Sequence, residues 1–531
     1  MSEELKKEII SQVKNQVEKI LTNSDADKTL KSLIYSGIEN KYLSDINSKQ
    51  TVVEDFFKKN KIELCALSII SEDDKKLFDR LYIIFFKDCK FYVRNLPLEN
   101  KEIWFTECHF YELFIPSNCK QYGLIGTIFN KCHFYKGIYF GYEKIYDSNI
   151  FSDCEIDNKI IASKCTFNGK LFWNSVDNPY KNINELNMVN CIFKDNFIIN
   201  EINREKNKEF IIKKLNLRDS TFFSKVKLFK CKINETSFYN TKFKDLADFY
   251  KSKFNGLFVD TLMEKRGLDY LELFEKTDFE GITVFSKSVF NCDINFKYTK
   301  FLDQTIFRET IVNKKFDLKD AIIKGSINFL DINNELKINI SNRETARIIK
   351  NSFEQQNNII EANKFYALEM KEREKEISPF KNLLEWLTFK IHGLASNHSQ
   401  NWFLALFWII NLTFLTNFLS YEFSCENSTL HILDRSLFFI GGLFVFACGI
   451  SKLKEKFINI SLFIFSIFTY LIYINSYIND TNLNEFSNMI NPFSIMTKGA
   501  ELTFEILVYK IIIAYLIYQL IISIRQNTRR K

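Results

Sequence analysis

The apolar positions of this chain fall into distinct regimes. From residue 219 to 330, a triplet of a small residue, any residue and a large apolar residue returns at about every fifth position. It is seen at Thr236–Phe238, Thr241–Phe243, Ala247–Phe249, Ser252–Phe254 and Leu257–Val259. After an interruption it resumes at Thr277–Phe279, Ser288–Phe290, Cys292–Ile294, Thr299–Phe301, Thr305–Phe307 and Thr310–Val312, then runs through Phe316–Leu318 and Ala321–Ile323. Such a period fits neither an amphipathic helix nor an alternating strand. It fits a solenoid whose chain turns a corner every few residues, with the large residue at the middle of each side. Leu257 and Phe316 are large where a small residue is expected. Counting on from Phe222 and Ile323 places the polar Lys227 and Asn328 at central positions, so irregular faces are expected there.

The same triplet is sparser in residues 61–212, at Cys89–Phe91, Cys108–Phe110, Cys132–Phe134, Cys154–Ile156, Cys165–Phe167 and Cys191–Phe193. This stretch reads as a degenerate first half of the solenoid, and 213–340 as its regular half. Excursions are expected at Asp177–Pro179 and Asn200–Lys206, and a helical insertion at Asp260–Lys276. Residues 1–60 read as helical, with Ile9, Val13, Val17 and Ile20 on one stripe and a second run over Thr29–Tyr42. A repeat array needs its open end covered, so an N-terminal cap is expected; a docking helix is the alternative. At Ser341–Glu344 a capping box opens an α-hairpin over 341–378, with a pause at Gln355–Asn358. The hairpin suits a C-terminal cap, or a protein-binding unit of tetratricopeptide kind.

Residues 379–400 alternate Phe380, Leu383, Leu384, Trp386, Leu387 and Ile391 with Lys381, Glu385, Lys390 and His392, as an interfacial helix does. Beyond them, 401–531 reads as four transmembrane helices: Trp402–Leu419, Leu437–Ile450, Phe457–Ile478 and Leu507–Ile524. The basic runs Ser451–Lys456 and Arg525–Lys531 place both termini on the cytoplasmic side. Lys510 is the one charge inside a span. Its place near the outer end suggests a snorkelling side chain, and a functional residue is the alternative. Asn411 and Gln519 are read as interhelical hydrogen-bonding groups.

Composition narrows the chemistry. The net charge of +7 is small against 72 basic and 65 acidic residues, so no strong field for nucleic acid is implied. Of twelve Cys, the six above together with Cys231 and Cys292 occupy the small position of a triplet. Buried packing explains them better than disulfides or metal, and a reducing compartment follows. His109 and His133 sit beside inward Cys and so face outward, which separates them from any shared metal. There is no Gly-rich phosphate loop, HExxH helix, CxxC pair or GxSxG elbow. No enzyme activity, catalytic residue, cofactor or metal is expected.

The triplets resemble those of the pentapeptide-repeat family, which puts a large central residue and a small one two positions earlier on the inside of each side. The resemblance implies a right-handed, four-sided β-helix. With the apolar C-terminus, the expected protein is a scaffold or sensor anchored in a bacterial inner membrane, offering its cytoplasmic coil to a protein partner. A homo-oligomer stays open. The alternative is an ion channel or transport component regulated by that coil. The segment Asn479–Thr503 would be a re-entrant loop, although Asn491–Thr497 carries no Thr-x-Gly-x-Gly filter.

Overall fold

The computed structural model describes residues 3–22, 56–67, 81–96, 102–116, 127–173, 183–200, 209–259, 272–333, 338–422, 483–494 and 503–528, with parts of 463–471. The chain divides into two compact units, Met1–Ser341 and Asn342–Lys531.

The first unit is a parallel β-solenoid over 62–340, with about ten turns and a 22-residue period. Every strand pairing among its described residues is parallel, as stacked coils require. In the later turns successive strands fall on four sheets in rotation: Val289–Phe290, Ile294–Asn295, Lys300–Phe301 and Thr305–Ile306, before Ile311–Val312 returns to the first. Register puts like on like, with Phe279 over Phe301 and Thr283 over Thr305.

The sequence dictates this coil through three repeated devices. Large apolar residues stack inside it: Phe193, Phe222, Phe243, Phe279 and Phe301 form one column, with ring centroids 4.6, 5.3, 5.1 and 5.4 Å apart. Stacked aromatic pairs add about 0.5–1.5 kcal/mol each beyond their burial. Small residues fill the second inward position and tie one coil to the next. The Thr277 hydroxyl donates to the Phe238 carbonyl at 2.7 Å, and Thr299 to Phe274 at 2.6 Å. Corners are turned by a residue with positive φ just before the small one, at Asp88, Glu107, Lys131, Asp153, Lys287 and Tyr298, for example. Few of these corners use glycine. Gly137 is one place that requires it: φ is +91° and a Cβ would collide with the Lys159 backbone.

The irregular faces expected from a strict count of five are corrected here. At Lys227 the inward residues are Val226 and Leu228, and at Asn328 they are Ile327 and Phe329, so the polar side chains do not point to the core. At Leu257 the frame slips: Phe258 is buried while Val259 is exposed. The cause is that a corner can be turned with one residue more or fewer, and a one-residue step exchanges inside for outside. Phe316 and Leu318 are both buried, so this side holds two large residues. The expected excursions at Asp177–Pro179 and Asn200–Lys206 lie outside the described residues, Asn200 apart. So do residues 260–271 of the expected helical insertion and the second N-terminal helical run.

Helix α1 (Glu3–Thr22) buries Leu5, Ile9, Val13, Val17 and Leu21, the last in place of Ile20. Its polar side chains engage the first strand, Ile62–Cys65. Gln12 donates to the Cys65 carbonyl at 2.7 Å and accepts from the Cys65 amide at 2.8 Å. Gln16 does the same with Glu63, at 2.8 and 3.0 Å. Two primary amides thus stand in for a missing neighbouring strand, where unpaired backbone groups would otherwise be left.

In the second unit, α2 (Arg343–Gln355) and α3 (Ile359–Glu376) form a hairpin. The N-cap of α2 is Asn342, whose side chain accepts from the Thr345 amide at 2.9 Å; the expected capping box at Ser341 lies one residue too early. Glu369, buried, receives Lys350 at 2.9 Å and Arg347 at 3.2 Å from the opposite helix. Helices α4 (Leu383–Ser396) and α5 (Trp402–Glu422) follow, then a short α6 (Asn484–Ile490) and α7 (Phe504–Thr528). The four expected spans reduce, among the described residues, to one helix long and apolar enough to cross a membrane, Phe504–Gln526; α5 is apolar over Trp402–Asn417, the part whose side chains are described. The second expected span and the basic run Ser451–Lys456 lie outside the described residues, as does most of the third span; of the run Arg525–Lys531, residues 525–528 are the end of α7.

Candidate functional site

The polar chemistry of the second unit gathers where α5, α6 and α7 meet. Their apolar contacts involve Phe407, Trp408, Ile409, Ile513 and Leu516, all buried, with Met489 and Ile490 of α6 packed against them. Against this background, several polar groups find partners, while the buried Ser523 hydroxyl has none among the described residues. The Tyr509 hydroxyl donates to Thr413 at 2.8 Å, Asn417 donates to the Tyr470 hydroxyl at 3.1 Å, and Ser466 donates to Asn411. Gln519 accepts from Ser396 at 3.0 Å and from Ser399 at 3.2 Å. Asn411 and Gln519 are therefore interhelical hydrogen-bonding groups.

Lys510 does not snorkel. It is 5% exposed, and its Nζ points at the end of α6. The carbonyls of Asn488, Met489 and Asn491 lie 2.5, 2.9 and 2.9 Å away, and the Ser494 hydroxyl oxygen 2.9 Å away. The last carbonyls of a helix have no intrahelical donor and carry the negative end of its dipole, so an ammonium there is doubly favoured. An ammonium has three protons and here faces four oxygens. The pull of those oxygens, supplied by the segment that the sequence marks as re-entrant, explains why the side chain turns inward. Sequence alone shows the charge, but no spacing rule links Lys510 to a helix end sixteen or more residues away.

On the solenoid, His109 and His133 lie side by side on the outer face of neighbouring coils, half-buried, in register across paired strands. His133 Nε2 is 2.7 Å from Asp157 and its Nδ1 is 3.7 Å from Glu155. Beside them Tyr92, Tyr111 and Tyr135 stack at 4.5 and 4.6 Å. This aromatic stripe was not apparent in the sequence, because its members are nineteen and twenty-four residues apart. Among the described residues no group of three His, Cys, Asp or Glu side chains is arranged to hold a metal ion. The eight triplet cysteines are buried free thiols. Burial pushes the thiols of Cys132 and Cys231 up, and that of Cys292 up to about 12.

Comparison with family models, curated proteins and solved structures gives no match for this chain.

Proposed function

We propose that this protein is a membrane-anchored scaffold or sensor whose β-solenoid presents a rigid face to a protein partner. The observation that carries the anchoring is the outer surface of α7. Phe504, Leu507, Val508, Ile511, Ile512, Ile521 and Ile524 are exposed along a helix of membrane-spanning length. Water penalises that much apolar surface, at about 25 cal/mol per Å2, and a bilayer does not. Helix α4 supports the same reading, with Phe380, Leu383, Leu384, Leu387 and Ile391 exposed in and just before it and Lys381 and Lys390 alongside.

The solenoid is read as a right-handed, four-sided coil of pentapeptide-repeat type, supported by the 22-residue period and the central Phe columns. We place it on the cytoplasmic side, which its free buried thiols favour. A flat face of parallel strands suits a protein surface, and the Tyr92–Tyr111–Tyr135 stripe gives it rigid aromatic contacts. The test is a photoreactive-lipid experiment on the full chain in vesicles. Label on α4 and α7 with none on the solenoid strands is expected; label spread over the strands contradicts the reading.

A channel or transport component is the second reading, and Lys510 favours it. An ionisable group held within an apolar span is costly, and such groups commonly mark an ion or proton pathway. Flux of monovalent cations through reconstituted vesicles, altered by Lys510→Ala, supports this reading; absence of flux from both proteins removes it.

A further inference from the structure

Helix α6 ends in a way that deprives its last carbonyls of their usual donors. The amide that would reach the Asn488 carbonyl from four residues on belongs to Pro492, and proline has no N–H. The amide that would reach Met489 belongs to Phe493, and it donates to the Asn491 side chain at 3.0 Å instead. The chain then folds back. The Ser494 amide donates to the Asn491 carbonyl at 3.3 Å, and the Ser494 hydroxyl lies 2.9 and 3.0 Å from the Asn488 and Asn491 carbonyls. Three carbonyls and one hydroxyl oxygen thereby converge, and Lys510 Nζ sits among them at 2.5 to 2.9 Å.

Two features make this more than a helix cap. The first is number. An ammonium has three protons to share, whereas a bare ion has no preferred directions and engages four oxygens at once. The second is charge. All four oxygens are neutral, and among the described residues no carboxylate joins them. Calcium and magnesium are held largely through carboxylates, whereas carbonyls at a helix C-terminal end inside an apolar bundle are donors that membrane proteins use for monovalent cations. The cage also rests on packed supports: Met489 and Ile490 of α6 lie against the same apolar cluster as Tyr509 and Ile513, the neighbours of Lys510 on α7. The other polar cluster of this unit, at the turn after α4, has no such surplus of oxygens. There His398 faces His392 of its own helix at 3.1 Å and Glu374 of α3 at 3.6 Å, and the Ser399 hydroxyl donates to Gln519 at 3.2 Å.

We propose that the end of α6 is a binding site for a monovalent cation of potassium or ammonium kind, and that Lys510 is its tethered occupant. While the ammonium is in place it straps α6 to α7 and keeps free ions out. Withdrawing it opens the site to an ion from solution. Such a site serves the transport reading, on which its purpose rests. Binding and flux are separate measurements, however: a chain that conducts nothing can still hold the ion, and a chain that conducts can lack this site.

The experiment is hydrogen exchange over residues 483–494 of the full chain in detergent, with choline chloride replaced by potassium or ammonium chloride at constant ionic strength. Lys510→Met keeps the apolar stem and removes the charge. In choline its protection should fall at least roughly tenfold below wild type, since a charged hydrogen-bonding partner is lost. Potassium or ammonium at about ten times its dissociation constant should restore roughly tenfold, the gain that a ligand at that concentration gives. Choline is too large for the cage and should restore nothing. The wild-type chain, its site already filled, should show the same protection in all three salts. Lys510→Ala, measured in the same salts, is the second variant if the first does not fold. Variant protection that is the same in choline, potassium and ammonium, variant protection equal to wild type in choline, or a wild-type chain that itself gains protection from potassium overturns the proposal.

Discussion

A single inward position shows what the coil asks of each residue. Cys132 and Thr277 do the same work in different turns: the thiol of one reaches the Phe105 carbonyl at 3.4 Å, and the hydroxyl of the other reaches Phe238 at 2.7 Å. Thr277→Val keeps the shape and loses the bond, so it should lower unfolding free energy by about 1 kcal/mol in denaturant titration. Phe279→Ala removes a ring stacked on both sides and should cost about 3–5 kcal/mol by the same measurement. The buried thiols of Cys231 and Cys292 have a pH signature. Their folded values lie above the ordinary 9.0, so the unfolded chain releases protons first as pH rises. Their contribution to stability is intact below about 9 and declines towards about 12 for Cys292. Maleimide labelling followed by mass spectrometry should leave Cys132, Cys231 and Cys292 unmodified in the folded chain and modify them after unfolding.

At the scale of elements, the open start of the solenoid is the place where polar side chains decide stability. Gln12→Ala and Gln16→Ala each strip an amide pair from the first strand, and each should cost about 1–2 kcal/mol, read as faster hydrogen exchange at Glu63 and Cys65. In the hairpin, Glu369→Gln leaves Arg347 and Lys350 without their shared carboxylate. Because those cations are partly exposed, the loss should be modest, about 1–3 kcal/mol in hairpin protection. The solenoid was legible because a five-residue period with two inward positions per side has few other solutions. The same count misplaced Lys227 and Asn328, since alternation within a side is strict while corner length is not. The partners of Lys510 and His398 were not legible. Both are set by where short turns end, at Asn491 and at Asn397–Ser399, and turn geometry leaves no periodic trace in composition.

For the whole molecule, two units with opposite surface character share one chain. The solenoid carries most of its Phe inside and Lys, Glu and Asp outside, whereas α7 carries apolar side chains on both its packed and its open sides. The central claim is that this difference separates a body in water from an anchor in lipid. It is tested most directly by alkaline carbonate extraction of membranes from cells producing the full chain. Retention of the protein in the membrane pellet, with peripheral proteins released, is the predicted result. Complete release into the supernatant would contradict the account.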